Sequence, residues 1–226
     1  MADLLPLFPL PNVVLFPNVF LPLHVFEPRY REMVADAIAS DRMIGMVLLR
    51  PGWEHDYEGC PPVYPIGCSG VITHFDRLPD ARFNIVLRGL ERFRIVQEDR
   101  ARSYRRAAVE MLREEPAAGD DRPAITSYRS RLESLLHSEA ERGNSLKHLH
   151  QHAPGEEPRP IDLKIPSGMS DEDLVNALAQ YLDLEPLEKQ ALLEKQGLRT
   201  RAESLLELLE MKILMARTPH ASHVAH

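Results

Sequence analysis

The stretch LPLFPLPNVVLFPNVFLPLHVFEPRY, residues 5–30, decides the fold. Its apolar density suits central strands or buried helices, yet Pro6, Pro9, Pro11, Pro17, Pro22 and Pro28 cut every run. Each proline lacks a backbone donor and pushes the residue before it toward extended geometry, so a continuous helix is ruled out. Within sheets, proline is confined to edges, strand starts and bulges. The stretch is therefore predicted to form very short extended pieces that turn corners repeatedly. These pieces are expected to drop Phe8, Val14, Phe16, Phe20, Leu23 and Phe26 into one core, at the seam of a small irregular β-barrel.

Pro28 fits a first helical position, where its missing donor costs nothing. Tyr30, Met33, Val34, Ala37 and Ile38 then follow the i, i+3, i+4, i+7, i+8 rule of a buried helical stripe, and Ser40-Asp41 closes it. Residues 43–49 read as a strand buried on both faces. The loop at 53–62 has no periodicity and holds Tyr57 and the single tryptophan, Trp53. Residues 66–75 begin a meander, with Gly67 and Gly70 marking a bulge or close backbone approach. Residues 82–88 alternate as a strand, Gly89 is predicted to turn the chain sharply into 91–96, and 104–112 supply a last strand.

From 114 to 123 the composition turns acidic and turn-rich, which places a boundary there. Beyond it Ile125, Tyr128, Leu132, Leu135 and Leu136 form a helical stripe. Residues 143–168, proline-broken and charged, read as a mobile excursion. Ser170 is predicted to cap a helix burying Leu174, Val175, Leu178, Tyr181 and Leu182. Pro186 opens another, carrying Leu187, Ala191 and Leu192 until Gly197. The longest helix runs over 198–217, with Leu198, Ala202, Leu205, Leu206, Leu209 and Ile213 in register and Leu208, Met211 and Met215 widening the stripe. The expected division is 1–115, 121–217 and a disordered tail at 218–226.

The blocks LPLFPLPNxVLFP at 5–17 and LPLHVFEPRY at 21–30 resemble the amino-terminal, substrate-recognition domain of Lon proteases. PIGxxGxI at 65–72, NIVLRGLERFRI at 84–95, DLEPLEKQALLE at 183–194 and the leucine-rich final helix extend the resemblance. It implies an α+β molecule: a PUA-like β-barrel, or pseudobarrel, followed by a C-terminal α-helical bundle. It implies binding of unfolded or partner polypeptide, as an adaptor in protein quality control. In the protease the chain would continue into an ATPase and then a peptidase domain, whereas this chain stops at His226. Trp53, Tyr57, Tyr64 and His24 are the expected binding residues, at the barrel rim and between the two parts.

There is no G-x-x-x-x-G-K-[ST] phosphate loop, G-x-S-x-G elbow or H-E-x-x-H, and the five lysines sit in no nucleophile motif. No enzymatic activity, cofactor or metal is expected. His148, His150 and His152, like His220, His223 and His226, lack a completing ligand set and read as polar linker and tail. With 27 basic against 34 acidic residues the net charge is −7, which argues against a whole-surface nucleic-acid binder. Eight arginines lie between 82 and 106, but they alternate with apolar residues as on a sheet with one solvated face. RNA is therefore the rival partner rather than the expected one, and a small-ligand barrel using the Trp53 loop is a third reading. Cys60 and Cys68 lack zinc-type spacing, so a reduced, cytoplasmic setting is expected. No signal peptide or membrane span is read, and monomer and homodimer stay open.

Overall fold

β1 (Leu5–Leu10) keeps Pro6 and Pro9 inside a sheet because of where its partners begin and end. Pro6 precedes the first parallel pair with β3 (Met43–Leu48), Leu7–Gly45, and Pro9 lies beyond the last pair with β6 (Arg106–Leu112), Pro6–Arg106. Neither proline is asked for a ladder bond it cannot make. The computed structural model describes residues 4–57, 59–114, 119, 121–141, 166 and 168–217.

β2 (Phe20–Val25), β4 (Ile66–Arg77) and β5 (Phe83–Asp99) complete a mixed six-stranded sheet of order β2-β5-β4-β3-β1-β6, in which β6 also pairs with β5. Among the described residues five α-helices accompany it: α1 (Pro28–Ile38), α2 (Asp121–Glu141), α3 (Asp171–Tyr181), α4 (Pro186–Glu194) and α5 (Leu198–Arg217). The architecture is α+β. Register shifts between Cys68 and Gly70 match the bulge expected from the glycines there.

Alternation splits β3 between two cores. Ile44, Met46 and Leu48 join the larger one, with Phe8, Phe16, α1 and the faces of α2, α3, α4 and α5, while Val47 joins Leu5, Leu7, Leu49, Val63, Phe93 and Ala107 in a smaller one. A strand buried on both faces must be apolar at successive positions, as MIGMVL is. Ser170 caps α3 as predicted, its hydroxyl accepting from the Asp173 amide at 3.0 Å.

Four expectations are corrected. Phe20 and Phe26 do not enter the core: they are 50% and 60% exposed, because the even-numbered side chains of β2, and Phe26 just past its end, face outward while Leu21 and Val25 face in. Gly89 is not a turn. β5 runs straight through it, and a Cβ there would lie 2.0 Å from the Phe16 carbonyl oxygen, so glycine marks a close approach of two backbones. α4 buries Leu192 as expected, but with Gln190 and Leu193 beside it, and it leaves Leu187 and Ala191 exposed. Arg92 is not on the solvated face of β5 and is described below. The predicted boundary at 114–123 lies partly outside the described residues. The excursion at 143–168 does so apart from 166 and 168, as do His148, His150, His152, His220, His223, His226 and the tail at 218–226.

Candidate functional site

An outward row on β2 opens the candidate surface. Side chains alternate along a strand, so Phe20, Pro22 and His24 share one face, and Phe26 follows just past the strand end with its ring 6.2 Å from that of His24. All four are exposed. His24 is held in place: Nδ1 and Asn84 Oδ1 are 2.7 Å apart and Arg82 Nη1 approaches Nε2 at 3.2 Å. A guanidinium can only donate, so Nε2 accepts and the proton sits on Nδ1.

The row continues through Glu27. Its carboxylate accepts from the Tyr57 hydroxyl and from Arg29 Nε, and the Tyr57 ring meets the Trp53 ring edge-on at 5.3 Å. Trp53 opens a single 3₁₀ turn, Trp53–Asp56, and is half-buried against the smaller core. Arg29 also stacks over Tyr57 and over Tyr30, and donates to the Tyr57 carbonyl at 3.1 Å. Burial, and next the Glu27 contact, push the Tyr57 phenol up, which keeps it a donor. The structure thus strings His24, Tyr57 and Trp53 along one path. Tyr64 stands outside that path, partly buried against the larger core beneath Arg50.

Phe20 and Phe26 are the members sequence reasoning misassigned. The signal that could have found them is strict alternation with the buried Leu21 and Val25 across an edge strand marked by Pro22.

Beside Tyr57 lies a cavity of about 200 Å³ whose wall includes Arg29, Arg100, Arg102, Arg105 and Tyr104. Trp53 is not in its wall, so the cavity is not the Trp53-lined pocket that a small-ligand reading would use. Arg105 is bound to Glu98 at 2.7 Å and to the Pro61 carbonyl at 2.6 Å.

The arginines at 82–106 do not form a continuous cationic strip. Arg82, Arg105 and Arg106 pair with Asp80, Glu98 and Asp99. Arg92 is 5% exposed and donates to the Leu193 and Lys195 carbonyls at 3.0 and 2.6 Å, closing the C-terminal end of α4, and to Glu114 at 3.0 Å. Arg201, wholly buried, reaches the same Glu114 oxygen at 2.8 Å and Asn176 at 3.1 Å. Gln180 accepts from the Phe16 amide and Gln190 donates to the Ile66 carbonyl. These polar groups tie the helices to one another and to the strands, which is why the buried helix faces hold arginine and glutamine beside their apolar stripes.

Among the described residues, no group of three or more histidine, cysteine or acidic side chains is placed to hold a metal, and no helix is long and apolar enough to cross a membrane. Burial pushes the Cys68 thiol up to about 12, leaving it an inert core group.

Comparison with known proteins places these features in context. A family model described as the ATP-dependent protease La (LON) substrate-binding domain matches residues 4–211. The chain is 29% identical over 210 residues to "Lon protease 2" of Myxococcus xanthus, covering 93% of this chain and 24% of that protein. It is 26% identical over 221 residues to "Lon protease" of Cytophaga hutchinsonii, covering 98% and 26%. It thus spans about a quarter of the length of these relatives. Among solved structures, a Lon N-terminal domain protein from Xanthomonas campestris matches with TM-score 0.54 at 21% identity, over 96% of this chain and 99% of that one. The N-terminal domain of the Mycobacterium avium complex Lon protease matches with TM-score 0.61 at 15% identity, over 92% and 98%.

Proposed function

Because the chain belongs to the ATP-dependent protease La (LON) substrate-binding domain family, we propose that it captures polypeptide and performs no catalysis of its own. The observation that carries this reading is the exposed row Phe20, Pro22, His24 and Phe26, prolonged through Glu27 to Tyr57 and Trp53. Large apolar side chains left in water across a strand face are available to a partner's apolar groups, at about 25 cal/mol per Å² buried. His24, Asn84 and Arg82 supply a polar rim. In this reading residues 1–115 form a PUA-like pseudobarrel that presents the row, and 121–217 form a helical part that braces it. The protein acts as a cytoplasmic adaptor in protein quality control, and its partners are non-native or tagged chains.

The test is a Phe20→Ala/Phe26→Ala double variant, titrated against a permanently unfolded model polypeptide by fluorescence anisotropy. Loss of two exposed anchors should weaken capture by about 2 kcal/mol, roughly 30-fold, with the melting temperature nearly unchanged. Unchanged capture by a folded double variant would sink the proposal. Tight binding of single-stranded RNA that weakens steeply with added salt would favour the rival reading.

A further inference from the structure

The cavity beside Tyr57 has a one-sided chemistry. Its wall presents four guanidinium groups, from Arg29, Arg100, Arg102 and Arg105, and no carboxylate among the described residues. Three of these arginines have acidic partners. Arg29 has Glu27, Arg105 has Glu98, and Arg102 faces Glu32 and Asp36 at 4.0 and 3.6 Å. Arg100 has no hydrogen-bond or ion-pair partner among the described residues, and Arg102 is held loosely, with half its side chain in water. Guanidinium is a planar fork of donors that never deprotonates, and it matches a carboxylate with two parallel bonds. One uncommitted and one loosely held guanidinium suit a singly charged, two-oxygen group, and about 200 Å³ holds such a group together with the short stretch of chain that carries it.

The cavity also sits in the right place. Tyr57 lines it and simultaneously touches Trp53 and Glu27, where the exposed row from β2 ends. Tyr104 lines it as well, its phenol pushed up to about 12 by burial and next by Asp36, so it stays protonated. We propose that this cavity receives a carboxylate, and that the carboxylate is one displayed by the polypeptide lying on the adjoining aromatic row. For the source of the ligand this rests on the polypeptide reading; for the site itself it rests on the arginines alone.

The chain's single tryptophan, half-buried and in ring contact with a cavity residue, is a built-in reporter. Three probes are titrated while its emission is followed: a short apolar peptide with a free terminal carboxylate, the same peptide as its amide, and acetate. The acid peptide should bind at least about tenfold tighter than the amide, the worth of a charge-assisted hydrogen bond. That preference should vanish in an Arg100→Gln/Arg102→Gln variant, whose substituted side chains are exposed and leave the fold intact. An emission shift with acetate that the variant loses, with the two peptides binding alike, also supports the site and identifies a free small acid as its ligand. Equal binding of acid and amide with no response to acetate overturns the proposal, as does an acid preference that survives in the variant. Binding of the amide peptide, read in the Phe20→Ala/Phe26→Ala protein, reports on the polypeptide surface separately, so failure of one reading is distinguishable from failure of the other.

Discussion

Arg92 and Arg100 stand eight positions apart on one line of chain, and they do opposite work. Arg92 is buried within β5, shares Glu114 with Arg201 and closes the end of α4. Arg100, just beyond the end of β5, is exposed and has no partner among the described residues. A buried charge must be satisfied before the chain can fold around it, so its partners come from the protein itself. An exposed charge is satisfied by water and can exchange that water for a ligand. The same side chain is thus a structural joint in one place and an open contact in the other, and depth alone decides which.

The largest expected effect tests the buried side of this contrast. Glu114→Ala leaves two buried guanidinium groups without their shared counter-charge and should cost about 3–5 kcal/mol in a urea melt. Arg100→Gln should stay within about 0.5 kcal/mol of the parent. A loss under about 1 kcal/mol for Glu114→Ala would mean that the buried pair is not a joint, and the contrast would collapse.

Trp53 lies between the extremes. A fully buried tryptophan costs about 3–5 kcal/mol on truncation, and this one is half-buried against the smaller core, so Trp53→Ala should cost about 2 kcal/mol of stability and also weaken polypeptide capture. A full core-sized loss with capture intact would assign it to the fold alone.

The smallest effect concerns Glu172, in the first turn of α3. Burial, and next the charge of Glu114, raise its carboxyl above the ordinary value. The folded chain then holds this proton more tightly than the unfolded chain does. Its contribution favours folding at low pH and is lost as pH rises from the ordinary carboxylate value through the raised one. The stability of Glu172→Gln relative to the parent should therefore climb with pH across that window, by about 0.5 kcal/mol or less. Urea midpoints at about pH 4 and about pH 7 check the sign; a flat difference would place the side chain in water, and a falling one would mean that the nearby Arg201 and Arg92 hold it as a carboxylate.

Much of this was legible from residues 5–30 and the helical stripes. The prolines ruled out helix, Pro28 marked the start of α1, and Ser170 marked the start of α3. Phe20 and Phe26 misled because apolar content alone does not distinguish a strand covered on both faces from one covered on a single face. Pro22 marked the edge, since a proline there needs no ladder partner for its nitrogen. Gly89 misled for a related reason: glycine serves a sharp turn and a tight backbone approach equally well, and only the position of Phe16 distinguishes them. Arg92, Arg201, Gln180 and Gln190 were invisible as core residues because each has a partner between 87 and 164 positions away, and three of those four partners are backbone groups. Of the four expected binding residues, three fall on one path and Tyr64 does not, and no local pattern in the sequence separates them.

Pro22 has one more consequence. On the open side of β2 it offers no donor, and the Phe20 carbonyl is already engaged by the Tyr181 hydroxyl at 3.2 Å. A strand added there would meet a ladder interrupted at both of these points. What remains is a pair of aromatic posts, Phe20 and Phe26, six residues and roughly 20 Å apart at about 3.3 Å per residue. If the row captures polypeptide as proposed, it would measure spacing rather than spelling, accepting many different sequences that carry an apolar group at each end of that span.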